Sequence, residues 1–283
     1  MLTYESTSRF AQAGPIRVHY HEAGEGPVLL CIHGGAPGAF GWGNFGRNLE
    51  ELSRRFRVII VDLPGYGRSD KPDVSTGRNA MYAETMVALI RELGLDRVHV
   101  LGMATGGAVA IRMAVDHPSV VERLVLVSAA GGHAVYQLRP KESASRIYYG
   151  GEGPTMEKMR AYLEQLLYDP TLITDDVLLE RYEASVEPEF MVQAPEGRSS
   201  QRHTPDDLWK RLDEITAPTL IVWGRENRTQ SFENAVFMLS RIRKSQLHVF
   251  GECGLWVPYE KMAEFNALVK RFLYVESSAR LRA

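Results

Sequence analysis

Three glycine-bearing segments hold the residues most able to do chemistry, and each follows a short apolar run. They are His33-Gly34-Gly35-Ala36-Pro37-Gly38, Asp62-Leu63-Pro64-Gly65-Tyr66-Gly67-Arg68-Ser69-Asp70 and Gly102-Met103-Ala104-Thr105-Gly106-Gly107. The third opens a helical pattern, and its glycines let a strand turn sharply into a helix without side-chain clashes. The first N–H groups of such a helix lack intrahelical acceptors and sit at the positive end of its dipole. They suit a carboxylate, a phenolate or an enolate. Ala104, between the two glycines, presents a methyl group and cannot attack a carbonyl. A phosphate-binding glycine loop is the competing reading, and the glycine spacing fits it less well.

The elements that must position these segments show in the hydrophobic pattern. Val28 to Ile32, Val58 to Val61, Leu124 to Val127 and Leu220 to Trp223 are continuous apolar runs. Val98 to Leu101 and Leu247 to Phe250 are each interrupted by one histidine, His99 and His248. Such runs predict strands buried on both faces, as in a parallel sheet. Helical patterns lie between them, at Phe45 to Phe56, Ala80 to Leu93, Gly106 to Asp116 and Met262 to Leu273. The alternation predicts an α/β fold with a doubly wound, mostly parallel sheet. It breaks between about Gly131 and Pro205, where Met156 to Tyr168 and Asp175 to Glu187 are amphipathic at helical spacing. This predicts a helical cap over 131–205, inserted into a core made of 1–130 and 206–283.

Composition narrows the function classes. Of the 283 residues 45% are hydrophobic and 24% charged, with a net charge of -2, so no basic stripe announces nucleic acid. No apolar run approaches the roughly 18 residues of a membrane span. The first residues lack the apolar stretch of a signal peptide. Two cysteines, Cys31 and Cys253, make no disulfide framework, so a reducing, cytoplasmic setting is expected. No metal-ligand spacing and no dinucleotide fingerprint appears, so the expected partner is a small molecule, with no metal and no cofactor.

The three segments, in this order, resemble the α/β-hydrolase superfamily, and the third has the frame of its nucleophile elbow, Gly-x-Ser-x-Gly. Within that superfamily the chain resembles the meta-cleavage product hydrolases, which cleave C–C bonds in vinylogous 1,5-diketones carrying a carboxylate. The resemblance covers nearly the whole chain. It includes Gly41-Trp42-Gly43-Asn44, Leu166 to Asp169, Glu180 to Glu183, Trp223-Gly224-Arg225, and His248-Val249-Phe250 through Trp256.

The resemblance assigns the nucleophile to position 104, the orienting acid to position 227 and the general base to position 255. These are Ala104, Asn227 and Leu255. An alternative acid position after Val127 reads Ser128-Ala129-Ala130. The resemblance also implies oxyanion donors from the backbone of Thr105 and of Gly34 and Gly35. It implies a substrate carboxylate on Arg181, with Asn44, Trp256 and Met103 lining the site, and a dimer as a common assembly. Asn44 also reads as a helix N-cap before Phe45. His133 is a candidate replacement acid or base, with a surface histidine as its plainer reading. Cys253 reads as a bystander thiol, His203 as cap surface, and His33, Asp62 and Asp70 as loop supports. From the three replacements the expected function is a non-hydrolytic enzyme doing proton transfer, cyclisation, decarboxylation or C–C lyase chemistry. The alternatives are a small-molecule binding protein and a weak C–C or ester hydrolase using bound water.

Overall fold

The computed structural model describes residues 2–72, 77–133, 144–193 and 207–274. Eight strands form one sheet: β1 (Ser8–Ala13), β2 (Ile16–Ala23), β3 (Val28–Ile32), β4 (Arg57–Val61), β5 (Val98–Met103), β6 (Val121–Val127), β7 (Thr219–Gly224) and β8 (Ser245–Phe250). Their order is β1-β2-β4-β3-β5-β6-β7-β8. From β4 to β8 every pairing is parallel, and the β1–β2 hairpin joins β4 antiparallel. The predicted doubly wound, mostly parallel sheet is present.

Burial explains why the apolar runs became strands. Leu29 to Ile32, Val58 to Val61, Val98 to Met103 and Leu220 to Trp223 are all buried. Each such aliphatic side chain stabilises the fold by roughly 1.5–3 kcal/mol. The inference of burial on both faces fails for β8, whose residues are only half-buried or exposed. It is the last strand of the sheet, with no neighbour beyond it. The β1–β2 hairpin was not legible as strands, because Gln12, Arg17, His19 and His21 interrupt its apolar pattern.

Helices α1 (Tyr4–Thr7), α2 (Gly41–Ser53), α3 (Arg78–Glu92), α4 (Thr105–Asp116), α9 (Glu233–Arg241), α10 (Val257–Glu260) and α11 (Met262–Leu273) accompany the strands. Between β6 and β7 the described residues form α5 (Ala144–Tyr149), α6 (Met156–Leu166), α7 (Asp175–Ser185) and α8 (Pro188–Gln193), and no strand. Thr155 and Thr174 start α6 and α7 by accepting hydrogen bonds from the backbone of Lys158 and Val177. α7 packs on α6 and reaches back to α2. Its approach to the β3 loop requires a glycine: Gly38 has φ +65°, and a Cβ there would sit 1.9 Å from the Arg181 carbonyl oxygen. His203 and the expected boundary at 205/206 lie outside the described residues. Among the described residues no helix is long and apolar enough to cross a membrane.

Candidate active site

The loops after β3, β5, β7 and β8 meet at the carboxyl ends of the parallel strands, where open α/β sheets bind ligands. The turn from β5 into α4 is the sharpest. Ala104 has φ 48° and ψ -112°, a conformation costing an L-residue about 1–3 kcal/mol. Hydrogen bonds hold it there, from Ala104 N–H to Val127 (3.0 Å) and from Ala130 N–H to the Ala104 carbonyl (2.9 Å). Gly106 is required beside it, since a Cβ would meet the Ile32 carbonyl at 2.2 Å. The elbow geometry is kept although its apex carries a methyl group.

Thr105 is the first residue of α4, and no side chain caps that helix. Its first N–H groups therefore face the crevice without an intrahelical acceptor. The β3 loop packs directly against it: a Cβ on Gly34 would touch the Ala104 methyl at 3.4 Å, and one on Gly35 would meet the Thr105 hydroxyl at 2.7 Å. His33 braces this loop. Its Nδ1 bonds the Gly34 carbonyl (2.6 Å) and its Nε2 accepts from Leu63 N–H (2.9 Å). Burial lowers its pKa to about 4, so it is neutral at pH 7. Asp62 accepts from Gly41 N–H and Arg68 N–H, and the Asp70 carboxylate accepts from Arg17 N–H. These three supports act as the sequence implied.

Arg181, on α7, is 2% exposed. Its guanidinium donates to the Asn44 side-chain oxygen (3.1 Å) and to the Gly38 carbonyl (3.4 Å), and lies 4.3 Å above the Trp256 ring. Its Nε–H has no hydrogen-bond partner, and no carboxylate lies within ion-pair distance among the described residues. Burial lowers its pKa to about 10, partly opposed by Glu180, so it stays charged at pH 7. A buried cation with a free donor is built to receive an anion. Asn44 donates to the Met103 sulfur (3.6 Å), and the Trp256 indole donates to the Asn44 carbonyl (3.3 Å). Arg181, Asn44, Trp256 and Met103 are thus brought together. Asn44 is not an N-cap: α2 starts at Gly41 with Phe40 in that position, which puts Asn44 inside the first turn.

The remaining positions are occupied as follows. Asn227 follows β7, and its side-chain oxygen closes a turn by accepting from Thr229 N–H and Gln230 N–H at 3.0 Å; its NH2 is buried without a partner. Leu255 is buried and its N–H donates to the Leu166 carbonyl at the end of α6 (2.8 Å). Ser128 is buried with φ 44°, and its hydroxyl has no partner. Cys253 is buried, and burial raises its pKa, so it is a quiet thiol. His133 is corrected as an acid or base. It is exposed, its ring tilted against Trp209 (4.9 Å) and edge-on to Phe237 (5.8 Å), aromatic contacts that place it beside α9. No cluster of three or more His, Cys, Asp or Glu side chains converges among the described residues.

Two contributions were not read from the sequence. Glu260 accepts from Tyr168 N–H (2.7 Å) and Gly254 N–H (2.9 Å), tying the end of α6 to the β8 loop. Tyr162, buried on α6, lies close enough to Arg181 to feel its charge. The helical spacing of Met159, Tyr162, Leu163 and Leu166 was the available signal for Tyr162. Glu260 gave none, because its partners are backbone groups distant in sequence.

The comparisons bear on the chemistry. Residues 27–261 match the model of the alpha/beta hydrolase fold family. The chain is 34% identical to the 2-hydroxy-6-oxo-6-phenylhexa-2,4-dienoate hydrolase of Comamonas testosteroni, over 96% of this chain and 98% of that one. It is 32% identical to a 2-hydroxy-6-oxononadienedioate/2-hydroxy-6-oxononatrienedioate hydrolase of Cupriavidus pinatubonensis, over 96% and 97%. A solved meta-cleavage product hydrolase from Pseudomonas fluorescens IP01, a serine-to-alanine mutant complexed with acetates, superposes with a TM-score of 0.83 at 31% identity. It covers 94% of this chain and 96% of that one. These relatives are hydrolases, which overturns the expected non-hydrolytic lyase or isomerase chemistry. That expectation weighed three side chains and gave too little weight to the rest of the crevice. The chain belongs to the α/β-hydrolase fold family, alongside the meta-cleavage product hydrolases.

Proposed function

We propose that the protein is a cofactor-independent C–C bond hydrolase of carboxylate-bearing dienoates, and that water attacks the substrate directly, without a serine nucleophile at the elbow. The observation that carries this reading is Arg181, a buried guanidinium with a free Nε–H and no carboxylate partner among the described residues. It would hold the substrate's carboxylate end. The backbone N–H groups of Thr105 and of Gly34 and Gly35 would receive the oxyanion formed at the ketone. Each such donor typically stabilises an oxyanion by ~3 kcal/mol.

In the diketo tautomer of a 2-hydroxy-6-oxo-dienoate, water oxygen bonds to C6. The C5–C6 bond then breaks, and its electron pair flows through the conjugated chain to the C2 oxygen. The proton lost by water ends on that oxygen, giving one carboxylic acid and one dienol. Arg181 neutralises the end where negative charge accumulates. Ala104, Asn227 and Leu255 supply neither nucleophile nor base, so the rate rests on placement and fixed dipoles, and it is expected to be slow.

The test is incubation with 2-hydroxy-6-oxo-6-phenylhexa-2,4-dienoate, following loss of the dienolate absorbance and benzoate by chromatography. Slow, linear release of benzoate, with no acyl adduct on the intact protein, is the expected result. Recovery of unchanged dienoate after prolonged incubation at high enzyme concentration would remove this reading.

A further inference from the structure

Away from the crevice, at the β1–β2 edge of the sheet, three side chains form a hydrogen-bonded line. The Ser8 hydroxyl lies 2.8 Å from His19 Nε2, and His19 Nδ1 lies 2.7 Å from the Asp62 carboxylate. Sequence separation hides the arrangement: Ser8 is on β1, His19 on β2 and Asp62 just after β4, and antiparallel pairing brings the three strands together. The geometry points to a second nucleophilic centre, in which Ser8 is the nucleophile, His19 its general base and Asp62 the positioning acid. It would take small activated acyl or phosphonyl groups.

The proton positions follow from the partners. Asp62 accepts from the N–H groups of Gly41 and Arg68; burial pushes its pKa up, but the His19 hydrogen bond, the nearby His19 and His33 rings and Arg68 N–H outweigh this and hold it below the usual carboxylate range. It can only accept from His19, so an imidazole proton sits on Nδ1; in the neutral ring, the form a general base needs, the Nε2 lone pair faces Ser8. In that form the Ser8 O–H donates to Nε2. Such a chain is recognised by geometry and roles, not by place in the sequence.

The neighbouring pair, Thr7 at the end of α1 and His21 on β2, is wired the other way. Thr7 Oγ1 lies 3.0 Å from His21 Nδ1, but its proton is directed to the Thr3 carbonyl at 2.8 Å. His21 Nε2 has no hydrogen-bond partner, and among the described residues no carboxylate forms an ion pair with the ring. If the hairpin needed only polar filling, either wiring would serve. Only Ser8 has an oriented base.

Ser8 is half-buried on an edge strand, so a small reagent can reach it. The Phe10 ring packs 4.9 Å from His19, and the guanidinium groups of Arg17 and Arg68 lie 3.8 Å and 5.3 Å from its centre. These favour an aryl ester, whose leaving phenolate is negative. In the step, Ser8 Oγ bonds to the acyl carbon and its proton passes to His19. The bond between the acyl carbon and the aryloxy oxygen breaks, and His19 passes the proton to that oxygen, which leaves as the phenol. Water later hydrolyses the Ser8 ester. Ser8 is the C-cap of α1, at the negative end of its dipole, so no helix dipole supports the oxyanion and deacylation should be slow.

The test is a fluorophosphonate probe on the full chain at pH 7.5, with the adduct located by peptide mass spectrometry. Loss of fluoride and one phosphonyl group on Ser8 is expected, absent after heat denaturation and absent in Ser8→Ala. An unlabelled protein, or an adduct at another serine, overturns the proposal. A second readout uses Ser8→Cys, whose thiol beside His19 should be alkylated by iodoacetamide at pH 6 at least tenfold faster than free cysteine. Alkylation no faster than free cysteine also overturns it.

Discussion

At the carboxyl ends of β5, β7 and β8 the backbone is arranged for acyl chemistry and the side chains are not. At the β1–β2 edge the reverse holds. The crevice keeps a strained elbow, an uncapped helix N-terminus, an apposed glycine loop and a buried arginine, yet presents a methyl, an amide and an isobutyl group. The edge has a hydroxyl, an imidazole and a carboxylate in line, yet its hydroxyl sits at a helix C-terminus. Acyl transfer needs both halves: a nucleophile with its base, and a place for the negative charge. Each region therefore has a different missing step. On the proposed readings, water attacks in the crevice and release of the acyl group limits turnover at the edge.

The largest expected effect comes from giving the crevice what the edge has. The triple change Ala104→Ser, Asn227→Asp and Leu255→His should raise dienoate hydrolysis by about 10⁴- to 10⁶-fold, the scale by which triads exceed their residual rates. An acyl adduct on position 104 should then appear in single turnover by intact mass. Ala104→Ser alone should do little, since Leu255, at the position of the base, cannot activate it. If the single change gave the full gain, the contrast between the two regions would collapse, because some unrecognised base would already serve the elbow.

Arg181→Gln sharpens the claim from the other side. It keeps the side chain polar and removes the charge. Hydrogen bonds to charged groups are worth about 1.5–3 kcal/mol, so KM for a dienoate should rise about 10- to 150-fold. An ester lacking a carboxylate should show no such rise. Equal losses for both substrates would show Arg181 to be packing between α7 and α2 and not an anion site.

The fold was legible in the sequence wherever burial forced a pattern. Runs such as Val28 to Ile32 have no polar residues because both faces are covered, and the positions after each run locate the crevice. The elbow, the glycine loop and Arg181 could be read because glycine and a resemblance over nearly the whole chain point to them. The reaction class was misjudged because three absent side chains weigh heavily in a sequence, whereas a retained backbone geometry is invisible there. The Ser8–His19–Asp62 line was hidden for a different reason. Its members lie 11 and 43 residues apart, and only the order of β1, β2 and β4 brings them together. His19 and His21, two apart on one strand, were a signal that the same face is polar.

Acid should weaken both regions together. Burial lowers His33 in the crevice and His21 at the edge to about 4, whereas an unfolded histidine titrates near 6.5. Between those values the unfolded chain binds protons that the folded chain refuses, so stability falls as pH falls. The slope approaches about 1.4 kcal/mol per pH unit for His33, about 3 kcal/mol by pH 4, and is smaller for His21, whose charge is partly screened. Asp62 has a depressed pKa, so its contribution is present above about pH 4 and is lost only below that. Denaturant midpoints measured from pH 7 to pH 4.5 should therefore fall steadily. A flat profile across that range would mean that both imidazoles reach water.

The smallest expected effect is at His133, which belongs to neither region. Its ring packs against Trp209 and meets Phe237 edge-on at the surface. His133→Ala removes an exposed aromatic contact worth about 0.5–1 kcal/mol. Denaturant midpoints should shift slightly, dienoate turnover should change less than twofold, and fluorophosphonate labelling should be unchanged. A loss of turnover beyond tenfold with the fold intact would bring a base from outside the crevice into the mechanism. Water would then be activated by an imidazole reaching in from beside α9, and the claim that fixed dipoles and placement suffice would fail.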